Sequence, residues 1–144
     1  MVPTDSGSLA QAFWSSLNER DIDSAFANVA EAAQVTITPA GILGSRQHAR
    51  AFFEHTIHAF PDVRFNVGKS FTTRDGVTVT ELSMEGTQGA EYLGVINQEK
   101  HCDVDQVWLL ETRDGLIRAI TGYWCQNQLY RRLAVKRLDQ VALV

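Results

Sequence analysis

Two polar residues in the second half of the chain could supply chemistry to a small-molecule pocket: Glu81 and Gln106. Glu81 lies in a predicted strand whose apolar positions change from odd to even numbers, which suggests a β-bulge near Thr80-Glu81. A bulge can turn a side chain into a pocket, and a carboxyl group in apolar surroundings has a raised pKa and can act as an acid. The alternative is a glutamate on the solvated side of a strand.

Gln106 falls between Val104 and Trp108 on the apolar side of the next predicted strand. A buried amide must find hydrogen-bond partners. It either bonds a carbonyl group of a substrate or satisfies a neighbouring backbone group, and the sequence leaves both open. Glu81 and Gln106 are the two predicted catalytic residues.

Other carboxylates are less suited to catalysis. Asp103 and Asp105 stand two positions apart, a spacing that brings paired carboxylates together. The predicted register points both of them, and Tyr123, away from the pocket face. A dimer interface or solvent is the expected environment of these three side chains.

Three histidines occur in the predicted third helix. His55 and His58 have the i, i+3 spacing that can support a metal pair. The apolar stripe of that helix passes beside them, so His48, His55 and His58 are expected at the surface. The sequence predicts no metal site and no cofactor.

The stretch that must position Gln106 runs from His101 to Cys125, with Asp114-Gly115 as a hairpin signal. The loop can have two or three residues. A three-residue loop, which pairs Thr112 with Leu116, best separates an apolar face of the hairpin from a more polar one. One face then carries a mainly apolar set: Val104, Trp108, Leu110, Ile120 and Trp124, with Gln106, Gly122 and Arg118 beside them. Two tryptophans on this face suggest a deep interior with aromatic walls.

Composition limits the class of protein. The 144 residues predict a single domain over 1–144, and 44% hydrophobic with 21% charged residues is typical of a globular chain. A net charge of −4 argues against a nucleic-acid partner. Two cysteines predict free buried thiols in a cytoplasmic protein. No apolar run is long enough to span a membrane, and the features of a signal peptide are missing, so no membrane contact is predicted.

Helix signals come first and strand signals last. The spacing predicts a helix from Ser6 or Ser8 to about Arg20, a second from Ile22 to about Ala32, and a third from Ser45 to Pro61. Strands are predicted at 35–38, 63–71 and 77–86, before the hairpin of 101–125 and a mostly helical basic tail over 126–138. This order predicts an α+β fold with helices packed on one side of a curved sheet, leaving a cone with one open end.

Several short motifs resemble one family. They are Thr38-Pro39-Ala40-Gly41, the run 59–65, Gly86-Thr87, Tyr92-Leu93-Gly94, the run 113–117, and the closing Leu129 to Leu133. In this order and spacing they are similar to the SnoaL-like polyketide cyclases. The resemblance implies a cone-shaped nuclear-transport-factor-2-like fold, in which a curved antiparallel sheet wraps around the N-terminal helices. It also implies a homodimer formed through the outer sheet face.

The resemblance carries over no acid–base pair. The His and Asp of aldol-type cyclases in the family correspond to Trp108 and Gly122, and the Tyr and Asp of ketosteroid-isomerase relatives correspond to Phe13 and Thr38. None of these four residues can serve as a general base. The substitutions are expected to make the pocket more apolar or roomier. The predicted substrate-binding residues are Phe13, Thr38, Phe53, Ile57, Trp108, Gly122 and Trp124.

We therefore expect a cofactor-free cyclase or isomerase that shapes a hydrophobic, polyketide-type intermediate, with a cycloaddition as one such ring closure. Two alternatives stay open: an epoxide hydrolase or hydroxylase-type relative that uses Glu81, Asp103 and Asp105, and a non-catalytic binding or dimerisation module. The basic residues Arg131, Arg132, Lys136 and Arg137 are expected on a solvated helix face. An acidic carrier protein is the alternative partner for that face.

Overall fold

The computed structural model describes residues 5–136. The helices are α1 (Ser6–Asn18), α2 (Ile22–Phe26), α3 (Arg46–Ala59) and α4 (Gln126–Arg132), with a 3-10 turn at Thr38–Ala40. The strands are β1 (Val29–Ile37), β2 (Ile42–Gly44), β3 (Arg64–Thr72), β4 (Val77–Thr87), β5 (His101–Arg113) and β6 (Leu116–Trp124). They form one sheet in the order β2-β1-β6-β5-β4-β3.

The sheet curves around α1 and α3, as the α+β prediction required. Its pairings are antiparallel except one, because β1 runs parallel to β6. The antiparallel prediction is therefore corrected to a mixed sheet. The buried stripe of α1 follows helical spacing through Leu9, Ala10, Phe13, Trp14 and Leu17. This stripe packs against the aromatic side of α3 to form the core.

Local boundaries differ from the prediction at three places. The first helix is capped by Asp5, whose carboxylate accepts from Ser8 N at 2.9 Å, and not by a serine. The second helix ends at Phe26, because the residues from Val29 onward pair with β6 and tertiary pairing overrides their helical spacing. The short strand β2 was not predicted. The end of the predicted C-terminal helix, from Arg137 to Leu138, lies outside the described residues.

The β5–β6 hairpin confirms the predicted faces and corrects the predicted turn. Arg113 pairs with Leu116, so the loop has two residues, Asp114 and Gly115, both with positive φ (56° and 75°). That is the backbone of a type I′ turn, whose twist matches the strands. An irregularity between Glu111 and Thr112 then shifts the register and restores the expected faces beyond it.

Helix α4 covers a part of β5 that β6 does not reach. The β5–β6 ladder ends at Gln106–Trp124, which leaves residues 101–105 without a strand neighbour on that side. Gln128 Oε1 accepts from Asp105 N at 3.1 Å, and Arg132 Nε donates to Asp103 O at 3.2 Å. Two side chains of α4 therefore satisfy backbone groups that a strand would otherwise pair.

Candidate functional site

The interior between sheet and helices is filled by aromatic rings. Phe13, Phe53 and Trp108, all predicted to bind substrate, come together there and are at most 2% exposed. The ring of Trp108 lies 5.2 Å from that of Phe53 and 5.6 Å from that of Trp14, between centroids. These three residues are packed core, and the prediction that Trp108 lines a hollow is corrected.

Trp108 and Gly122 face each other across β5 and β6. A Cβ built on Gly122 would lie 2.5 Å from Cζ3 of Trp108. The indole thus fills the space that a side chain at position 122 would need. The expectation of a roomier pocket at this pair is wrong, because the larger residue uses the room that the smaller one leaves.

Gln106 is buried, and both ends of its amide have partners. Its Oε1 accepts from Trp108 Nε1 at 2.8 Å, and its Nε2 lies 3.7 Å from Met84 Sδ. The sulfur is a weak acceptor, and the amide nitrogen carries a second hydrogen. Neither partner is the backbone group that the sequence offered as one alternative.

Glu81 lies on the outer face of the sheet and is exposed. Strands β4 and β5 pair without interruption from Val77–Glu111 to Thr87–His101, so β4 contains no bulge. The irregularity lies in the neighbouring strand β3, between Val67 and Ser70. The change of parity in β4 has another origin, since its inward positions before Leu82 are the buried Thr78 and Thr80.

A depression of about 620 Å³ borders both predicted catalytic residues. It extends across β3, β4, β5 and β6 at the level of the β3 bulge. Strand alternation gives it outer-face residues such as Glu81 and Tyr123, and inner-face residues such as Gln106 and Trp124. Trp124 is half-buried, stacks on Phe52 at 5.8 Å, and donates to Gln126 Oε1 at 2.8 Å. Glu81, Gln106 and Trp124 therefore border the same depression, with the side chain of Glu81 on the outer face of the sheet and that of Gln106 on the inner face.

The other predicted site residues lie elsewhere, except Asp105, which also borders the depression. Thr38 is exposed in the 3-10 turn, and Ile57 is half-buried on α3 against the core. Asp103 pairs with Arg132 at 2.7 Å, and Asp105 accepts from Gln128. Both lie on the outer face, as predicted. Of the three histidines, His48 and His58 are exposed, whereas His55 stacks on Tyr92 at 5.2 Å.

A second cleft, of about 560 Å³, was not predicted. It lies between α1 and the bulged part of β3, with Trp14, Phe65 and Thr80 among its walls. Asn18 holds the helix to the strand here, since its amide group donates to Phe65 O at 3.0 Å and accepts from Phe65 N at 2.8 Å. The sequence analysis missed this cleft, although Gly68 lies at the register shift of β3 and a glycine inside a strand often marks a bulge.

Trp14 differs from the other tryptophans in one respect. Its indole nitrogen is buried and has no hydrogen-bond partner among residues 5–136, where it is alone among buried side-chain nitrogens and oxygens. A buried donor without an acceptor costs about 1–3 kcal/mol of stability. Such a group calls for an explanation in a native structure.

Two other groups change their acid–base behaviour on burial. Burial raises the pKa of the Cys102 thiol to about 12. Burial also raises the pKa of the Tyr92 phenol above its ordinary value. The Tyr92 hydroxyl bonds Thr56 Oγ1 at 2.9 Å beneath α3. Cys125 is exposed, so only one of the two thiols is buried as predicted. Within the described range no group of three or more His, Cys, Asp or Glu residues could hold a metal ion.

The fold matches known structures over nearly the whole chain. AclR of Streptomyces galilaeus, a candidate hydroxylase, superposes with a TM-score of 0.80 at 17% identity, covering 92% of this chain and 97% of its own. IdmH of Streptomyces antibioticus, a candidate polyketide cyclase, gives 0.78 at 19% identity, with 90% and 99% covered. A candidate SnoaL-like polyketide cyclase of Jannaschia sp. gives 0.81 at 15% identity, with 94% and 96% covered. At these identities the likeness shows the nuclear-transport-factor-2-like fold.

Sequence comparison adds the family. The model of the SnoaL-like polyketide cyclases matches residues 8–133, and the chain belongs to that family. No curated protein matches the chain significantly. Among the described residues, none of the helices is long and apolar enough to cross a membrane.

Proposed function

We propose that this protein is a cofactor-free cyclase or isomerase that acts on a hydrophobic, polyketide-type intermediate in the depression bordered by Glu81, Gln106 and Trp124. Membership of the cyclase family supports the reaction class. The observation that carries the assignment to this site is that Glu81, Gln106 and Trp124 all border one depression of about 620 Å³. That volume is within the range of small-molecule sites.

The mechanism we propose relies on shape. Holding two reacting ends of a chain together supplies up to about 7–11 kcal/mol of the barrier in the best intramolecular cases. An intramolecular cycloaddition asks for little beyond that and one hydrogen bond to polarise a carbonyl group. The amide of Gln106 is the group suited to donate this bond through its second Nε2 hydrogen, and the Glu81 side chain can accept a hydrogen bond from a hydroxyl group of the substrate.

The first prediction tests this site with a panel of linear polyene β-keto thioesters. A cyclisation or isomerisation gives a product with the mass of the substrate, so chromatography with mass spectrometry follows it directly. We expect Trp124→Ala and Glu81→Gln each to lower kcat/KM at least about tenfold, the effect of losing one well-placed contact. Glu111→Gln alters an exposed glutamate on the same sheet face outside the depression and should leave kcat/KM unchanged.

Unchanged turnover in both Trp124→Ala and Glu81→Gln would overturn the assignment to this depression. A product hydrated by one water would point to the hydrolase alternative. Asp103 is held in an ion pair with Arg132 on the outer face, so the hydrolase alternative would rest on Glu81 and Asp105, which both border the depression.

A non-catalytic dimerisation module is the second candidate function, and the filled interior favours it. The outer sheet face offers an apolar surface, on which Phe71 is 58% and Tyr123 is 48% exposed. We propose that two copies pair through this face. A dimer in sedimentation experiments that Phe71→Lys separates, together with no turnover of any thioester, would favour this candidate over the enzyme.

A further inference from the structure

Of the three tryptophans of the chain, two donate their indole N–H to a described residue and one does not. Trp108 donates to Gln106, and Trp124 donates to Gln126, each at 2.8 Å and each to a glutamine two positions away. Trp14 is 2% exposed and donates to no described residue. The indole of Trp14 is therefore a buried donor that no described residue satisfies.

The cleft between α1 and β3 is where an acceptor for this indole could be placed. Trp14 forms part of its wall, beside Phe65, and the two rings are 5.7 Å apart. The register shift between Val67 and Ser70 lets β3 separate from the regular ladder at this level. The space of about 560 Å³ suits a small molecule with one or two rings.

Two of the residues around the cleft, Trp14 and Arg64, carry groups that can only donate, whereas its hydroxyl and amide side chains can donate or accept. Thr80 and Ser70 bring hydroxyl groups 3.3 Å apart, and Arg64 borders the cleft from the outer face of β3, where it lies opposite Glu85. Arg64 is exposed and forms no ion pair with any residue from 5 to 136. No aspartate or glutamate is among the described residues that border the cleft, although the whole chain carries a net charge of −4. A ligand with an anionic oxygen fits this pattern better than a cationic or purely apolar one.

We propose that the α1–β3 cleft is a binding site for an apolar carboxylic acid. Its ring system would lie against Trp14 and Phe65, and its carboxylate would accept from Trp14 Nε1 and face Arg64. The indole nitrogen is covered while the cleft is empty, so binding is accompanied by a small repositioning of the ring. This site lies on the inner side of β3, and the proposal does not depend on the reaction proposed for the depression.

The second prediction uses 1-naphthoate as the probe, with nitrogen–proton NMR of the full chain. Each tryptophan gives one indole N–H signal, and Trp14→Phe identifies the one that belongs to Trp14. On titration with 1-naphthoate this signal should move downfield by more than those of Trp108 and Trp124. The ketone 1-acetonaphthone, which keeps a carbonyl acceptor but has no charge, should move the same signal and bind more weakly.

Affinities measured by calorimetry complete the test. Trp14→Phe keeps an aromatic ring without the donor and should weaken 1-naphthoate binding about tenfold. Arg64→Gln should weaken 1-naphthoate several-fold and leave 1-acetonaphthone unchanged. Lys69→Gln is the matched control, because it removes another exposed cation of β3 that borders the depression and not the cleft.

Three results would overturn the proposal. They are the absence of saturable binding, an affinity that Trp14→Phe does not change, and a shift confined to the Trp124 signal, which would place the probe in the depression. If Trp14→Phe does not fold, Trp108→Phe and Trp124→Phe assign the Trp14 signal by elimination, and the pair Arg64→Gln and Lys69→Gln then decides the matter.

Discussion

The centre of the sheet and its β3 edge differ in how they use space. At the centre, β4 and β5 pair without a shift, and the side chains on their inner face pack against aromatic rings with no gap at Trp108. At the edge, β3 loses register between Val67 and Ser70, and a cleft or depression lies on each side of it. The depression and the α1–β3 cleft are thus associated with a backbone irregularity at this edge, whereas the interior around Trp108 is packed.

The third prediction has the largest expected effect on stability, and it concerns a substitution in the packed centre of the sheet. Trp108→Ala removes a fully buried indole and should lower the free energy of unfolding by about 3–5 kcal/mol. Urea unfolding followed by circular dichroism measures this loss. Trp124→Ala removes the same side chain at the half-buried end of the face and should cost clearly less.

Gly122 provides a check on the physical reason. Gly122→Ala brings a Cβ to 2.5 Å from the Trp108 ring and should destabilise the unaltered protein by about 1–3 kcal/mol. In the Trp108→Ala background the same change should cost little, since the two sites are coupled. Additive losses would contradict the account of a ring that fills the space above Gly122.

The fourth prediction compares two glutamines that accept from tryptophans. Gln106→Leu leaves the fully buried Trp108 N–H without an acceptor and should cost about 1–3 kcal/mol. Gln126→Leu does the same to Trp124, whose half-buried ring water can reach, and should cost less than about 1 kcal/mol. Equal losses in urea unfolding would show that the buried hydrogen bond has no special role.

The fifth prediction has the smallest effect and concerns the two thiols. At pH 8 the exposed Cys125 should react with a disulfide reagent at once, whereas Cys102 should react only when the protein unfolds. Because burial raises the pKa of Cys102 to about 12 from an ordinary value of 9.0, the unfolded thiol ionises first as the pH rises. Its contribution to stability is therefore complete below pH 9.0 and decreases above it.

Cys102→Ala supplies the control for that pH dependence. The variant should lose less stability than the unaltered protein between pH 8 and pH 10, in unfolding experiments at constant salt. A Cys102 that reacts as fast as Cys125 in the native protein would contradict the burial on which this prediction rests.

Much of the fold could be predicted because its signals are local. The stripe from Leu9 to Leu17, the stop at Pro61 and the Asp-Gly turns each act through neighbouring residues. The alternation in β5 and β6 assigned the inner and outer faces correctly even though the turn was wrong. The strand from Val29 could not be predicted in the same way, because its apolar spacing suits a helix and its pairing with β6 is remote in sequence.

The candidate site was harder to predict. Sequence pattern places Trp108 and Gly122 opposite each other but does not say whether the indole lines a cavity or fills it. Glu81 was assigned to a bulge that belongs to the neighbouring strand, because the inward positions 78 and 80 of β4 carry threonines and the apolar pattern therefore changes parity. Trp14 was predicted only as a helix residue, since the absence of a hydrogen-bond partner is a property of three-dimensional surroundings.

The side chains of Gln128 and Arg132 have a consequence for how this protein withstands damage at its C-terminus. They occupy the open flank of β5, which would otherwise present free donors and acceptors to any extended peptide. Proteolysis before Gln128 would remove this cover and expose the flank of β5 next to the apolar core. Cleaved molecules could then pair through their exposed β5 strands. Helix α4 therefore protects the protein against aggregation.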